Sequence, residues 1–172
     1  QRAAAEQSWQ AAVQTLATTP PATPPRATGW LLKTDQPTAA VAALLAGGFP
    51  PPAELIVELG RETPAQIESA LGQLPTGITV RFALPMITRG WEQAALDDQI
   101  RHFWTAGHRR WEAANPAALA LLPATNELDL SADWPLYTLN TTAWAEWQAQ
   151  GIRRGTVAPE DTPDNAALLA RQ

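Results

Sequence analysis

The feature that most constrains this chain is an alternation of short apolar segments with Ala-rich helical segments, which recurs roughly every 25 residues. The apolar segments predict six strands, at residues 29–34, 53–59, 77–84, 108–114, 128–139 and 152–158. The segments between and after them predict six helices, at residues 37–46, 64–74, 91–106, 116–122, 141–150 and from 163 onward. Because strands that alternate with helices pair in parallel through right-handed crossovers, the sequence predicts an α/β fold with repeated βα units and a parallel sheet.

Six such units fall short of the eight that close a TIM barrel. The spacing leaves an open parallel sheet and a partial, TIM-barrel-like arrangement as alternatives. An incomplete barrel would leave an apolar edge strand. We therefore expect a homodimer, or contact with the remaining part of a longer protein, at that edge.

A proline-rich segment divides the chain. Residues 1–17 carry apolar side chains at helical spacing and predict an N-terminal helix. Residues 18–27 (TTPPATPPRA) predict a linker, because prolines deny a helix and favour extended geometry. The βα-repeat domain then covers residues 28–172. The chain begins at Gln1 and its one Met is Met86, so we expect it to be a fragment of a longer protein.

Composition narrows the classes of cofactor and partner. The chain has no cysteine, which excludes iron–sulfur ligation and thiolate metal sites by its own residues, so no cofactor is predicted. His102 and His108 lack the spacing of zinc ligands. The net charge is −5 without a basic stripe, which disfavours nucleic acid as a partner. No apolar run reaches the roughly 18 residues of a membrane span, so no membrane partner is expected and a cytoplasmic location is predicted.

Each predicted strand is followed by a glycine, a proline or a polar residue. In parallel α/β folds the carboxyl ends of the strands face one crevice or barrel mouth, where ligands bind. The residues in these positions are therefore expected to converge at one face, and they are Asp35, Gly60, Pro85, Asn115, Asn140 and Glu160.

Three of the polar residues in or after the strands are candidates for catalysis, and each also has a structural interpretation. Glu160 could act as a general acid or base, or it could complement the dipole of the helix from residue 163. Asn140 could orient a substrate through its amide, or it could cap the helix at residues 141–150. Asp133 could be a buried acid with a chemical role, or it could mark a bulge or break in its strand. Asn115, before Pro116, predicts a helix cap.

Several short motifs accompany these candidates, and they carry a resemblance to a known family. They are Ala132-Asp133-Trp134, Leu139-Asn140, Gln150-Gly151, Ala158-Pro159-Glu160, and the upstream runs at residues 82–85 and 111–115. The chain resembles the peptidase U32 family of collagenase-like proteases. That family has an Asp followed by an aromatic residue, a short run to Asn, a helix ending in Gly, and a strand ending in Ser-Pro-Glu. The resemblance covers residues 78–172 and, more weakly, residues 28–76.

The resemblance implies a TIM-barrel-like domain of a U32-type hydrolase that acts on peptide or another polymer, with Asp133, Asn140 and Glu160 as the matching site residues. Some members carry an iron–sulfur cluster, and the cysteines of that signature lie beyond the Ser-Pro-Glu position. Ala158 replaces the family's Ser, which argues against hydroxyl chemistry there. We therefore expect this fragment to be inactive alone. The alternative is a non-catalytic scaffold or a substrate-binding domain.

Overall fold

The structure is a computed structural model that describes residues 29–169, so the predicted N-terminal helix and linker lie outside the described residues. Within 29–169, strands and helices alternate along the chain. The strands are β1 (Leu31–Thr34), β2 (Glu54–Glu58), β3 (Thr79–Ala83), β4 (Arg110–Ala113), β5 (Asp129–Ala132) and β6 (Ile152–Gly155). The helices are α1 (Pro37–Ala46), α2 (Pro64–Leu71), α3 (Gln93–Thr105), α4 (Pro116–Leu119), α5 (Thr141–Ala149) and α6 (Pro163–Leu169).

The six strands form one sheet in sequential order, β1-β2-β3-β4-β5-β6, and every pair is parallel. This confirms the predicted α/β class with a parallel sheet. In the described part of the chain, β1 and β6 each pair on one side only, so the sheet is open. No helix between residues 29 and 169 combines the length and the apolar character needed to cross a membrane.

The helices cover one face of the sheet. Side chains alternate between the two faces along each strand, and Leu55 and Val57 of β2 lie in the hydrophobic core with Ile67 of α2. Phe82 of β3 stacks on Phe103 of α3, with ring centroids 4.1 Å apart. The alternate positions point to the opposite face, which we call the inner face.

The inner face is concave. Lys33 of β1 reaches Asp133, which follows β5, and Arg154 of β6 reaches Glu54 of β2. Each pair joins strands that are four positions apart in the sheet. Four strand spacings in a flat sheet would be about 19 Å, which is more than these side chains can span. The sheet therefore curls around its inner face, as the arc of a partial barrel does.

The fifth strand is predicted over residues 128–139 with a bend allowed at Trp134-Pro135, and the structure ends the strand before that point. β5 ends at Ala132, and a 3₁₀ turn follows at Trp134–Leu136. The Asp133 carboxylate accepts a hydrogen bond from the backbone N–H of Trp134 at 2.8 Å, and Pro135 has no N–H to give to a ladder. Tyr137 then adopts a left-handed conformation at φ 49°, which turns the chain away from the sheet.

Candidate functional site

Two groups of charged side chains occupy the inner face of the sheet. The amino-end cluster comprises Glu54, Arg81, Arg110, Asp129 and Arg154. The carboxyl-end cluster comprises Lys33, Glu58, Glu112 and Asp133. Both arise because charged residues alternate with core residues along the strands, so that every second side chain points away from the helices.

Arg81 is the centre of the amino-end cluster. Its guanidinium donates to Glu54 at 3.3 Å, to the Asp129 carboxylate at 3.0 Å, and to the backbone carbonyls of Trp111 and Asp129 at 2.9 and 2.7 Å. The Arg81 side chain is only 2% exposed. Arg154 binds the second oxygen of Glu54. Buried charges are tolerated only when they are paired and hydrogen-bonded in this way, so this cluster holds the five strands from β2 to β6 together.

Lys33 is the centre of the carboxyl-end cluster. Its ammonium lies 2.5 Å from Asp133, 2.9 Å from Glu112 and 3.7 Å from Glu58. The Glu112 side chain is 3% exposed, whereas those of Lys33 and Glu58 are 30% and 32% exposed. One ammonium therefore faces three carboxyl groups from three other strands. The cluster has surplus negative charge when all of its groups are ionised.

The surroundings of Lys33 hold it in the charged form. Burial lowers the pKa of Lys33, but the charges of Glu112 and Asp133 and their hydrogen bonds outweigh that effect, so the pKa lies above its ordinary value of 10.5. A lysine that acts as a nucleophile or base needs a lowered pKa. Lys33 is therefore suited to holding carboxylates in place by its charge.

Glu58 differs from the other carboxylates of this cluster. Burial raises the pKa of Glu58 above its ordinary value of 4.5; Lys33 opposes this, while the charges of Asp35 and Asp133 add to it. Its contact with Lys33 is also the longest of the three. A partly exposed carboxyl group with a raised pKa can give and take a proton. Glu58 is thus the strongest candidate for acid–base chemistry that the geometry offers.

Glu58 also lines an open cleft at the carboxyl ends of β1, β2 and β3. The cleft has a volume of about 480 Å³, and its other walls come from the loop after β3 and the first turns of α3. Asp35, Gly60 and Pro85 all line it, as their positions after three strands predicted. A cleft in this position is where parallel α/β folds bind their ligands.

Asp133 is the one sequence-predicted catalytic residue that belongs to the carboxyl-end cluster. It is buried and follows β5, where its two carboxylate oxygens bind different partners, Lys33 and the N–H of Trp134. Both interpretations of Asp133 thus have support, since it is a buried acid and it also caps the turn that ends its strand.

Asn140 and Glu160 lie elsewhere in the structure. The Asn140 side chain accepts from the N–H of Ala143 at 2.8 Å and caps α5. Glu160 is exposed in the turn before α6. Across residues 29–169, neither residue is hydrogen-bonded or ion-paired to the carboxyl-end cluster. The cap predicted at Asn115 is confirmed, since its oxygen accepts from the N–H of Ala118 at 2.9 Å.

Sequence reasoning missed Lys33, Glu58 and Glu112 as site residues. All three lie within strands, whereas most of the candidates named from the sequence follow strands. A usable signal was present, because charged residues an even number of positions apart in an otherwise apolar strand lie on the same face and indicate a polar second face. β2 shows it plainly, with Glu54 and Glu58 at its two ends and three apolar residues between them.

Among residues 29–169, no group of three or more His, Cys, Asp or Glu side chains has an arrangement that could hold a metal ion. Comparison of the chain with protein-family models, curated proteins and solved structures identified no match. The inference about function therefore depends on the short motifs of the sequence and on the geometry of the cleft and its charged residues.

Proposed function

We propose that this domain is the substrate-binding part of a U32-type hydrolase, that it holds a peptide or a similar polymer at the carboxyl ends of its strands, and that it is inactive alone. The observation that carries the proposal is that Glu58 lines the cleft and contacts Lys33, which also binds Glu112 and Asp133. In TIM-like folds this end of the sheet carries the active site.

The distribution of exposed apolar side chains supports a polymer as the ligand. Six of the 11 large apolar residues that are exposed in the described part of the chain lie in loops at the carboxyl end of the sheet: Met86, Ile87, Trp91, Tyr137, Leu139 and Val157. Exposed apolar side chains concentrated at one end of a sheet favour a binding surface there. An extended chain could contact several of these loops at once.

The chemistry expected of the site follows from its protonation states. When a peptide bond is hydrolysed, water adds to the carbonyl carbon and the leaving nitrogen gains a proton. Glu58, a partly exposed carboxyl group that lines the cleft, is suited to exchanging a proton with such a substrate. Lys33, which stays charged, would keep Asp133 and Glu112 in position.

Binding of a labelled peptide to the 172-residue chain tests this proposal. A Gly- and Pro-rich peptide of the kind found in denatured collagen should bind saturably by fluorescence anisotropy, and mass spectrometry should find it intact. Asp133→Asn removes a charge from the carboxyl-end cluster and should weaken binding about tenfold, or about 1.4 kcal/mol.

The matched control is Glu127→Gln. Glu127 pairs with Arg109 at 3.1 Å before β5, at the opposite end of the sheet, so this change should leave binding unaltered. Cleavage of the peptide would contradict the expectation that the domain is inactive alone. If no saturable binding is found, the substrate-binding role is wrong.

A non-catalytic scaffold is the second candidate function. The observation that favours it is the position of Asn140, which caps α5 and does not join the carboxyl-end cluster. On this alternative the open edges of β1 and β6 would serve association. Light scattering tests the predicted homodimer, because a mass that rises with concentration supports an edge-mediated contact and a constant monomer mass contradicts it.

A further inference from the structure

The charges that line the cleft are balanced everywhere except at Glu58. Asp35 is paired with Arg61 at 2.7 Å, and Glu92 is paired with Arg89 at 3.3 Å. Glu58 has only a 3.7 Å contact to Lys33.

Lys33 is already paired with two other carboxylates. Its ammonium lies closer to Asp133 and Glu112 than to Glu58, and one positive charge cannot neutralise three carboxylates. A positive group on a ligand would supply the missing charge beside Glu58. Interfaces match charge in this way because a surplus of one sign attracts the opposite sign and repels its own.

Two large, exposed apolar side chains also line the cleft. Trp91 is 80% exposed and Ile87 is 67% exposed, and both belong to the loop after β3. Arg89, already paired with Glu92, lies 5.8 Å from the centroid of the Trp91 ring. Largely exposed tryptophan side chains at a cleft are common anchors for ligands, because they bury a large area at little cost in conformational entropy.

The loop that carries Gly60 is fixed in place. The Gln99 side chain accepts from the N–H of Gly60 at 3.0 Å and donates to the carbonyl of Glu62 at 3.2 Å. Thr38 of α1 donates to the Glu62 carboxylate at 2.5 Å. This part of the rim therefore needs little ordering when a ligand enters, which favours binding.

From these contacts we propose that the cleft selects a peptide segment in which a basic side chain lies next to an apolar one. The basic group would bind Glu58, and the apolar neighbour would pack on Trp91 and Ile87. This selectivity rests on the peptide-binding role proposed above and names the class of peptide that the cleft accepts.

Calorimetric titration of the 172-residue chain with a matched series of peptides tests the selectivity. Three eight-residue peptides of Ala and Leu, acetylated and amidated at their ends, carry Lys, Gln or Glu at one central position. The Lys peptide should bind at least about tenfold more tightly than the Gln peptide, and the Glu peptide should be the weakest.

Two variants test which residues of the cleft determine the selectivity. Glu58→Gln should bring the Lys and Gln peptides to within about twofold of one another, whereas Glu127→Gln should keep the wild-type ratio. Trp91→Ala should weaken all three peptides by a similar factor, since it removes the apolar contact alone. Urea unfolding of each variant establishes that the fold is retained.

The outcomes separate the two proposals. Equal binding of the Lys and Gln peptides to the wild-type chain would overturn the selectivity and leave the peptide-binding role intact. Failure of all the peptides, including the collagen-type one, would overturn both. A Gln peptide with a free amino terminus is the last arm, and binding as tight as that of the Lys peptide would refute the assignment to a side chain.

Discussion

The two charged clusters of the inner face are made of the same kinds of side chain, yet they differ in how completely their charges are compensated. In the amino-end cluster, Arg81 is buried and its donors reach two carboxylates and two carbonyls. In the carboxyl-end cluster, Lys33 must serve three carboxyl groups, one of which lines an open cleft. The difference shows that charged residues can stabilise the fold at one end of a sheet and leave negative charge uncompensated at the other.

The largest loss of stability is expected when the amino-end cluster is broken. Arg81→Met leaves Glu54 buried with one partner and removes a donor from each of two carbonyls, so the free energy of unfolding should fall by about 3–5 kcal/mol. Urea unfolding measures it. Arg101→Met is the control, because Arg101 pairs with Asp98 on the surface and the change should stay within about 0.5 kcal/mol. Equal effects of the two substitutions would refute a structural role for the amino-end cluster.

A smaller loss in the free energy of unfolding is expected when the carboxyl-end cluster is broken. Lys33→Met leaves Glu112 and Asp133 buried without their cation and should cost about 2–3 kcal/mol at neutral pH, less than Arg81→Met because water reaches Lys33. Adding Glu112→Gln to Lys33→Met should recover part of the loss, since it removes one of the uncompensated charges. A single variant as stable as the wild type would contradict the pairing.

The pH dependence of the Lys33 variant follows from the direction of its pKa shift. The pKa is raised in the folded protein, so the stabilisation is fully present below the ordinary value of 10.5 and is lost as the pH rises through the folded value. The difference between wild type and Lys33→Met should therefore stay constant from neutral pH to about pH 10 and shrink above it.

The smallest effect is expected at Glu58, and its sign should be opposite. Because the pKa of Glu58 is raised on folding, its contribution to stability is present below the ordinary value of 4.5 and is lost as the pH rises through the folded value. Glu58→Gln should therefore be more stable than wild type at neutral pH, by less than about 1 kcal/mol, and this gain should disappear in acid. Urea unfolding across this pH range, with Glu127→Gln as the unaffected reference, measures the gain. Destabilisation at neutral pH would show that Glu58 is as well compensated as Glu54.

Much of the fold could be predicted from local sequence. α1 occupies residues 37–46 as predicted, because Pro37 begins the helix and Gly47 follows its end. β5 could not be placed correctly, because its apolar pattern continues past Ala132 while a side chain–backbone hydrogen bond at Asp133 ends the strand. Apolar periodicity indicates which face of a strand is buried, but it does not show where a turn ends the strand.

The site was harder to predict than the fold for a related reason. Parallel pairing brings the strand ends to one edge, and of the six residues expected to converge there, three line one cleft, namely Asp35, Gly60 and Pro85. The contact between Lys33 and Asp133 depends on how strongly the sheet curls, and no local pattern encodes that curvature. Asn140 was ambiguous because the amide that can orient a substrate is also a good helix cap.

The sequential strand order has a consequence for how the chain reaches its native state. Every ladder joins strands that are consecutive along the chain, so each can form after closing one short βα loop. The ion pairs Lys33–Asp133 and Glu54–Arg154 each join residues 100 positions apart, and they require the whole arc to be in place. We therefore expect them to form late in folding, so that they slow unfolding and contribute little to the rate at which the sheet assembles.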